Sequence, residues 1–223
     1  EATDGDGVVG FGEGCPRSYV TGETLETCGR FFREHRDDLL ERVDSIGDLK
    51  VWVGEKRAAI DRSPAAWCGI EMALLDLFAR QKTGSVESML GVPEIEGPFV
   101  YTAVLGDLDD ESFAGQLGKY QGWGIEDFKI KRRGDAGVDR MKFERLAEMG
   151  VDPGRVRVDA NNLWAKSEDA LDHLGSLREG FCAVEEPIRA NAIEEMRELG
   201  VSLGVPVILD ESFLREEQLA LIG

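Results

Sequence analysis

The sequence predicts an α/β protein in which a (β/α) barrel follows a smaller unit of mixed α and β structure. Beyond about residue 93, short β-rich runs alternate with helical stretches joined by short connections, the order that builds a parallel sheet wrapped by helices. Before that point the alternation is replaced by one glycine-rich extended start and two helical patterns. No Gly-x-Gly-x-x-Gly opens the first strand–helix junction, which disfavours a dinucleotide-binding sheet and leaves the barrel as the better reading. The expected division is 1–92 and 93–223.

The opening stretch GDGVVGFGEGCPRSYVTGET sets glycines 5, 7, 10, 12 and 14 around Val8, Val9 and Phe11. No Gly-Lys-Ser/Thr follows, so a strand or hairpin running into a loop is expected rather than a phosphate cradle. From Thr21 to about Ile46, Leu25, Cys28, Phe32, Leu39, Leu40 and Val43 recur among charges at helical spacing, an amphipathic helix with His35 on its solvated side. Ser63-Pro64 reads as an N-cap with proline in the first helical turn. The helix it opens, AAWCGIEMALLDLFARQ, is apolar on most sides through Trp67, Ile70, Met72, Leu74, Leu75, Leu77 and Phe78 and is therefore expected to be buried. In the second part, strands are predicted at 99–105, 127–131, 156–159, 181–184 and 205–209. Helices are predicted at 110–121, 137–149, 167–178 and 192–203, several closed by glycine, as at Gly150 and Gly204.

Composition narrows the partners. The 223 residues carry 44 Asp+Glu against 26 Lys+Arg, a net charge of −18, so neither nucleic acid nor an anionic membrane surface is an expected partner. With 42% hydrophobic and 31% charged residues the chain is globular in composition. It holds no apolar run approaching the roughly 18 residues of a membrane span, and EATDGDGVVG does not read as a signal peptide. Four scattered cysteines without a Cys-x-x-Cys pair point to reduced thiols in a cytoplasmic protein and away from structural zinc.

The chemistry lies at the strand ends. The second predicted strand ends in Lys129-Ile130-Lys131, the third in Asp159-Ala160-Asn161, the fourth in Glu185-Glu186-Pro187 and the fifth in Asp210-Glu211-Ser212. Lys131, Asp159, Glu185 and Asp210 follow one another at intervals of 28, 26 and 25 residues, each about one βα unit. Strand C-termini converge on one face of a barrel, where active sites are built, so two lysines and at least three carboxylates share one mouth. Each carboxylate taken alone could cap the following helix; three in series repel one another unless a cation lies among them. Oxygen donors without His or Cys favour a hard ion, Mg²⁺ or else Mn²⁺, over zinc, with Asp159, Glu185 and Asp210 as the metal ligands. Asn161, Glu186 and Glu211 remain as supporting groups. Lys129 and Lys131 are two apart on a strand and project to one side, where like charge and desolvation would lower a lysine pKa into the range of a general base. Arg132 and Arg133 are expected to be exposed, as is His173.

Lys-x-Lys, Asp-x-Asn, Glu-Glu-Pro and Asp-Glu-Ser at these intervals closely resemble the enolase superfamily and, within it, the muconate lactonizing enzyme subgroup. GFGEGCPRSYVTGET resembles the end of that family's capping-domain sheet, and AAWCGIEMALLDLFARQ its buried helix before the barrel. The resemblance implies an incomplete TIM-type (β/α) barrel preceded by an incomplete α+β capping domain, because the family's sixth-strand lysine would lie past Gly223. It further implies Lys131 as the base that removes a proton α to a carboxylate, Lys129 as the group that polarises that carboxylate, and a small-molecule carboxylate substrate. Racemisation or epimerisation of dipeptides or N-acyl amino acids is the leading reaction. Cycloisomerisation, an o-succinylbenzoate synthase-type dehydration and a non-catalytic metal-binding fragment are the alternatives. No organic cofactor is expected, and a homo-oligomer is left open.

Overall fold

In the computed structural model of the protein, residues 1–177 and 180–221 are described; they form two compact units, Glu1–Gly97 and Pro98–Gly223. In the first unit the glycine-rich start is a hairpin. Strand β1 (Ala2–Thr3) pairs antiparallel with β2 (Val9–Gly10), Ala2 opposite Gly10. Four helices follow: α1 (Leu25–Arg42), α2 (Ile46–Ile60), α3 (Pro64–Gln81) and the short α4 (Val86–Leu90).

The alternate glycines have a packing reason. A Cβ added at Gly10, Gly12 or Gly14 would overlap the backbone oxygen of Ala73, Gly69 or Ala65 respectively. Two residues of extended chain advance about 6.7 Å and four residues of helix advance about 6 Å. Every second residue of the extended segment therefore meets every fourth residue of α3, and the segment lies backbone against helix.

Three expectations for this unit are corrected. The single helix from Thr21 to about Ile46 is two helices. Thr24 opens α1 with a reciprocal cap to Thr27, Val43 leaves the helical conformation, and the Ser45 side chain accepts from Asp48 N to start α2. Helix α2 escapes a periodicity reading because its apolar residues are spread around its circumference. His35 is half-buried rather than solvated: it stands one turn after Phe31 (ring centroids 4.5 Å apart) and 5.7 Å from Trp52. Trp52 is itself 1% exposed and stacked on Trp67 at 5.1 Å. Ser63 precedes α3, but its hydroxyl makes no cap. The buried Glu23 carboxylate does that work, accepting from Ala65 N at 2.7 Å and Ala66 N at 3.0 Å, an anion at the positive end of a helix.

The second unit is four successive βα repeats and a fifth strand of a partial (β/α) barrel. Strands β3 (Thr102–Leu105), β4 (Asp127–Lys131), β5 (Val156–Asp159), β6 (Ala183–Glu185) and β7 (Val207–Ile208) form one parallel sheet in chain order. Helices α5 (Asp110–Gly122), α6 (Ala136–Glu148), α7 (Ser167–Gly175) and α8 (Ile193–Leu203) fill the connections. Strands β4 and β5 have the bounds the sequence predicts. Strand β3 is shorter, because ladder pairing begins only at Thr102 opposite Asp127 and Phe99, Val100 and Tyr101 remain exposed. Strand β7 is likewise cut to two residues, and β6 shifts forward to take in Glu185. The predicted last position of the helix at 167–178 lies outside the described residues.

The core is the interleaving of the sheet's helix-facing side with the helices. Leu105, Ile130, Val158 and Val184 are wholly buried with Phe113, Leu117 and Leu174. All four cysteines are free, Cys15 and Cys68 being exposed. Among the described residues no helix is long and apolar enough to cross a membrane.

Candidate active site

Parallel register places the site. Lys131 pairs with Asp159, Asp159 with Glu185, and Glu185 with Ile208, so one row across the sheet carries a lysine and two carboxylates at the strand C-termini. Lys129 lies two residues back on the same face as Lys131. Its Nζ reaches forward to Asp159 Oδ2 at 3.0 Å and Glu185 Oε1 at 3.1 Å. Lys131 Nζ lies 3.2 Å from Asn161 Oδ1, to which it donates, and 3.6 Å from Asp159 Oδ2. Asp159 is 1% exposed and accepts from Asn161 N at 3.1 Å. The Asp210 side chain stands at the exposed rim.

The electrostatics separate the two lysines. Burial disfavours the charge on Lys129, but its hydrogen bonds and ion pairs with Asp159 and Glu185 outweigh that and raise its pKa. The expectation that desolvation and like charge lower this lysine's pKa is therefore corrected: two carboxylates within hydrogen-bond reach decide the sign, and Lys129 is a fixed ammonium. Burial raises the pKa of Glu185, the Lys129 hydrogen bond opposes this, and the charges of Asp159 and Asp210 reinforce it.

A loop hub completes the mouth. Glu186 is fully buried with its backbone at φ 40°. It accepts from Asp210 N (2.7 Å), Ser212 N (2.7 Å), Ser212 Oγ (2.8 Å) and Asn162 Nδ2 (3.0 Å). Four donors satisfy a carboxylate that could not be buried bare, and they tie the segments after β5, β6 and β7 together. Sequence reasoning placed Glu186 among supporting groups but had no means to assign it this junction.

Among the described residues, no three carboxylates stand close enough to hold a metal ion as placed; Lys129 lies between Asp159 and Glu185. The donor set nonetheless fits a hard cation. It is all oxygen, burial and then the charges of Asp159 and Asp210 push the pKa of Glu185 up, and Glu211 Oε2 is buried without a hydrogen-bond partner among the described residues.

Two residues expected at the surface are not there. The Arg132 side chain is wholly buried, 2.8 Å from Asp139 Oδ2, because it continues the inward row of Phe128 and Ile130. His173, with 14% of its side chain exposed, lies 3.2 Å from the same carboxylate and 5.2 Å from the Trp164 ring. The available signal was the alternation along β4 together with charges on the inner side of α6. Arg133 is exposed as expected.

A partial (β/α) barrel with lysines and carboxylates at successive strand ends defines the class, and comparison with known proteins agrees. Residues 113–221 match the family described as Enolase C-terminal domain-like. It is 29% identical over 216 residues to L-Lys-D/L-Arg epimerase of Methylococcus capsulatus, covering 96% of this chain and 59% of that protein. It is 26% identical over 211 residues to N-succinyl-L-Arg/Lys racemase of Bacillus cereus, covering 92% and 56%. The crystal structure of dipeptide epimerase from Methylococcus capsulatus, complexed with Mg and the dipeptide L-Arg-D-Lys, superposes with a TM-score of 0.72 at 28% identity, covering 95% of this chain and 59% of that one. The chain thus spans less than two thirds of the length of these relatives.

Proposed function

We propose that the protein carrying this chain is an isomerase that removes the proton α to a carboxylate, with a dipeptide or N-acyl amino acid as substrate and racemisation or epimerisation as the outcome. The observation that carries the proposal is the pairing of a fixed ammonium, Lys129, with a more exposed lysine, Lys131, at the end of the same strand, whose neutral amine is the form that can accept a proton. Lys131, with 43% of its side chain exposed against 23% for Lys129, takes the proton from Cα, and Asn161 Oδ1 orients its amine. Lys129, held charged by Asp159 and Glu185, polarises the substrate carboxylate as negative charge builds there. Asp159, Glu185 and Asp210 are the proposed ligands of Mg²⁺, or of Mn²⁺ in its place, which when bound would supply further electrophilic stabilisation to that carboxylate. Exposed free thiols at Cys15 and Cys68 support a cytoplasmic setting.

The test is solvent exchange. In D₂O with Mg²⁺, deuterium is expected to enter Cα of some members of a panel of dipeptides and N-acyl amino acids, read by mass spectrometry. Absence of exchange across the panel, with calorimetry showing the cation bound, would overturn the isomerase reading in favour of a metal-binding but non-catalytic fragment.

A further inference from the structure

On the helix side of β4, behind the lysines, lies a second charged group that the proposed chemistry does not use. Arg132 and Lys142 have fully buried side chains, and Asp139 is the one fully buried carboxylate beside them. Arg132 is held by proximity to Asp139 and by the Phe143 ring, 5.7 Å from its guanidinium carbon; none of its side-chain nitrogens makes a directed hydrogen bond among the described residues. Burial lowers its pKa to about 10, against the opposing charge of Asp139. Lys142, three residues after Asp139 on α6 and so on the same face, is also pushed down by burial. Its nearest carboxylate oxygen beyond this group, Asp107 Oδ1, is 3.8 Å away.

Two buried cations beside one buried carboxylate is a costly arrangement that apolar side chains of similar volume could replace without loss of stability. What the charges hold is more informative. Lys142 Nζ donates to the carbonyl oxygen of Lys131 at 2.9 Å. Arg132 N donates to Asp159 O at 2.9 Å, and Arg133 N donates to Asp139 Oδ1 at 3.4 Å. Three successive residues at the end of β4 are thereby anchored, two of them by side chains of α6. We propose that Lys142 is a positioning residue: its bond to the Lys131 carbonyl, beside the Asp139 bond to the following turn, fixes the end of β4 and so the place of Lys131 Nζ next to Asn161 and Asp159. This rests on the reading of Lys131 as the base.

The test compares Lys142→Met, which keeps length and bulk but removes the donor, with Phe113→Leu, a core change on α5 matched for stability. In Lys142→Met, amide hydrogen exchange at 131–133 should quicken at least about tenfold relative to Phe128 and Ile130. Labelling of Lys131 relative to Lys129 by an amine reagent should change as well. In active protein, kcat for Cα exchange should fall roughly ten- to a hundredfold while KM stays within about twofold, as for a misplaced catalytic group. Wild-type exchange at 131–133, an unchanged kcat, or the same losses in Phe113→Leu would overturn the proposal. If the wild type exchanges no Cα proton, the isomerase reading falls, while the amide and labelling results still decide the role of Lys142. Should Lys142→Met fail to fold, the wild type decides: the Lys142 ammonium protons should exchange with water far more slowly than those of an exposed lysine, and fast exchange would overturn the clamp.

Discussion

Lys129 and Lys131 differ by one turn of pleat and in almost everything that matters chemically. Lys129 reaches two carboxylates and stays charged; Lys131 reaches one only at 3.6 Å and meets an amide oxygen at 3.2 Å. Removing the second should therefore cost the proposed chemistry and spare the cation site. Lys131→Ala is expected to lower Cα exchange by roughly 10²–10⁴-fold, the usual contribution of a general base, with Mg²⁺ affinity by calorimetry little changed. A residue-level prediction also belongs to the first unit. Asp38 accepts from Trp52 Nε1 at 2.9 Å and pairs with Lys56 and Arg42, contacts that together depress its pKa below 3.8. A carboxyl whose pKa is depressed on folding contributes stability above its unfolded pKa and loses it as pH falls through the folded one. Asp38→Asn, which keeps the acceptor for Trp52, should therefore be less stable than wild type near neutral pH. The gap should close as pH falls below about 3.8, followed by tryptophan fluorescence in urea. A gap that persists in acid would mean the charge is not what Asp38 contributes.

At the scale of elements, the first unit depends on an extended segment lying flat on a helix. Glycine is needed at 10, 12 and 14 because the facing atoms are backbone, which cannot rotate away as a side chain can. Gly12→Ala should destabilise the first unit by about 2 kcal/mol or more, as overpacking does, measured as a shift in urea midpoint. An unchanged midpoint would show that the segment can lift off α3 at no cost. In the second unit the equivalent element-level device is Glu186, which uses backbone donors from the β7 exit and a side chain from the β5 exit to set the loops of the mouth. Its φ of 40° is strain that four hydrogen bonds to one carboxylate can hold.

For the molecule as a whole, charge and edges oppose each other. Strands β3 and β7 each have one strand neighbour among the described residues, and Phe99, Val100 and Tyr101, just before β3, are 61%, 74% and 76% exposed. Open edges and apolar surface promote association, whereas a net charge of −18 repels like molecules over about a Debye length, roughly 10 Å at 0.1 M salt. The 223-residue chain should therefore be monomeric at low salt and self-associate as salt is raised, read by light scattering during gel filtration. Association that weakens with salt would indicate ion pairing between copies instead.

How much of this was legible without coordinates follows from the range of each interaction. Alternation with period two in DFKIK and VRVD was enough to bound β4 and β5. The even spacing of the strand-end motifs was enough to align Lys131, Asp159 and Glu185 in one row, because a parallel βα repeat converts equal spacing into equal height. Other features needed the fold: the Glu23 cap on α3, the burial of His35, Arg132, Lys142 and His173, and the inverted pKa shift of Lys129. Each depends on which residues from distant segments come within a few ångströms, and burial or an opposing charge at that distance can reverse what a residue's type and local rhythm imply. The sequence determined by itself the order, the spacing and the chemical character of the strand ends, which are properties of the chain taken locally. Only the tertiary structure decided which charges are buried and paired and what they anchor, because desolvation and short-range electrostatics are set by packing.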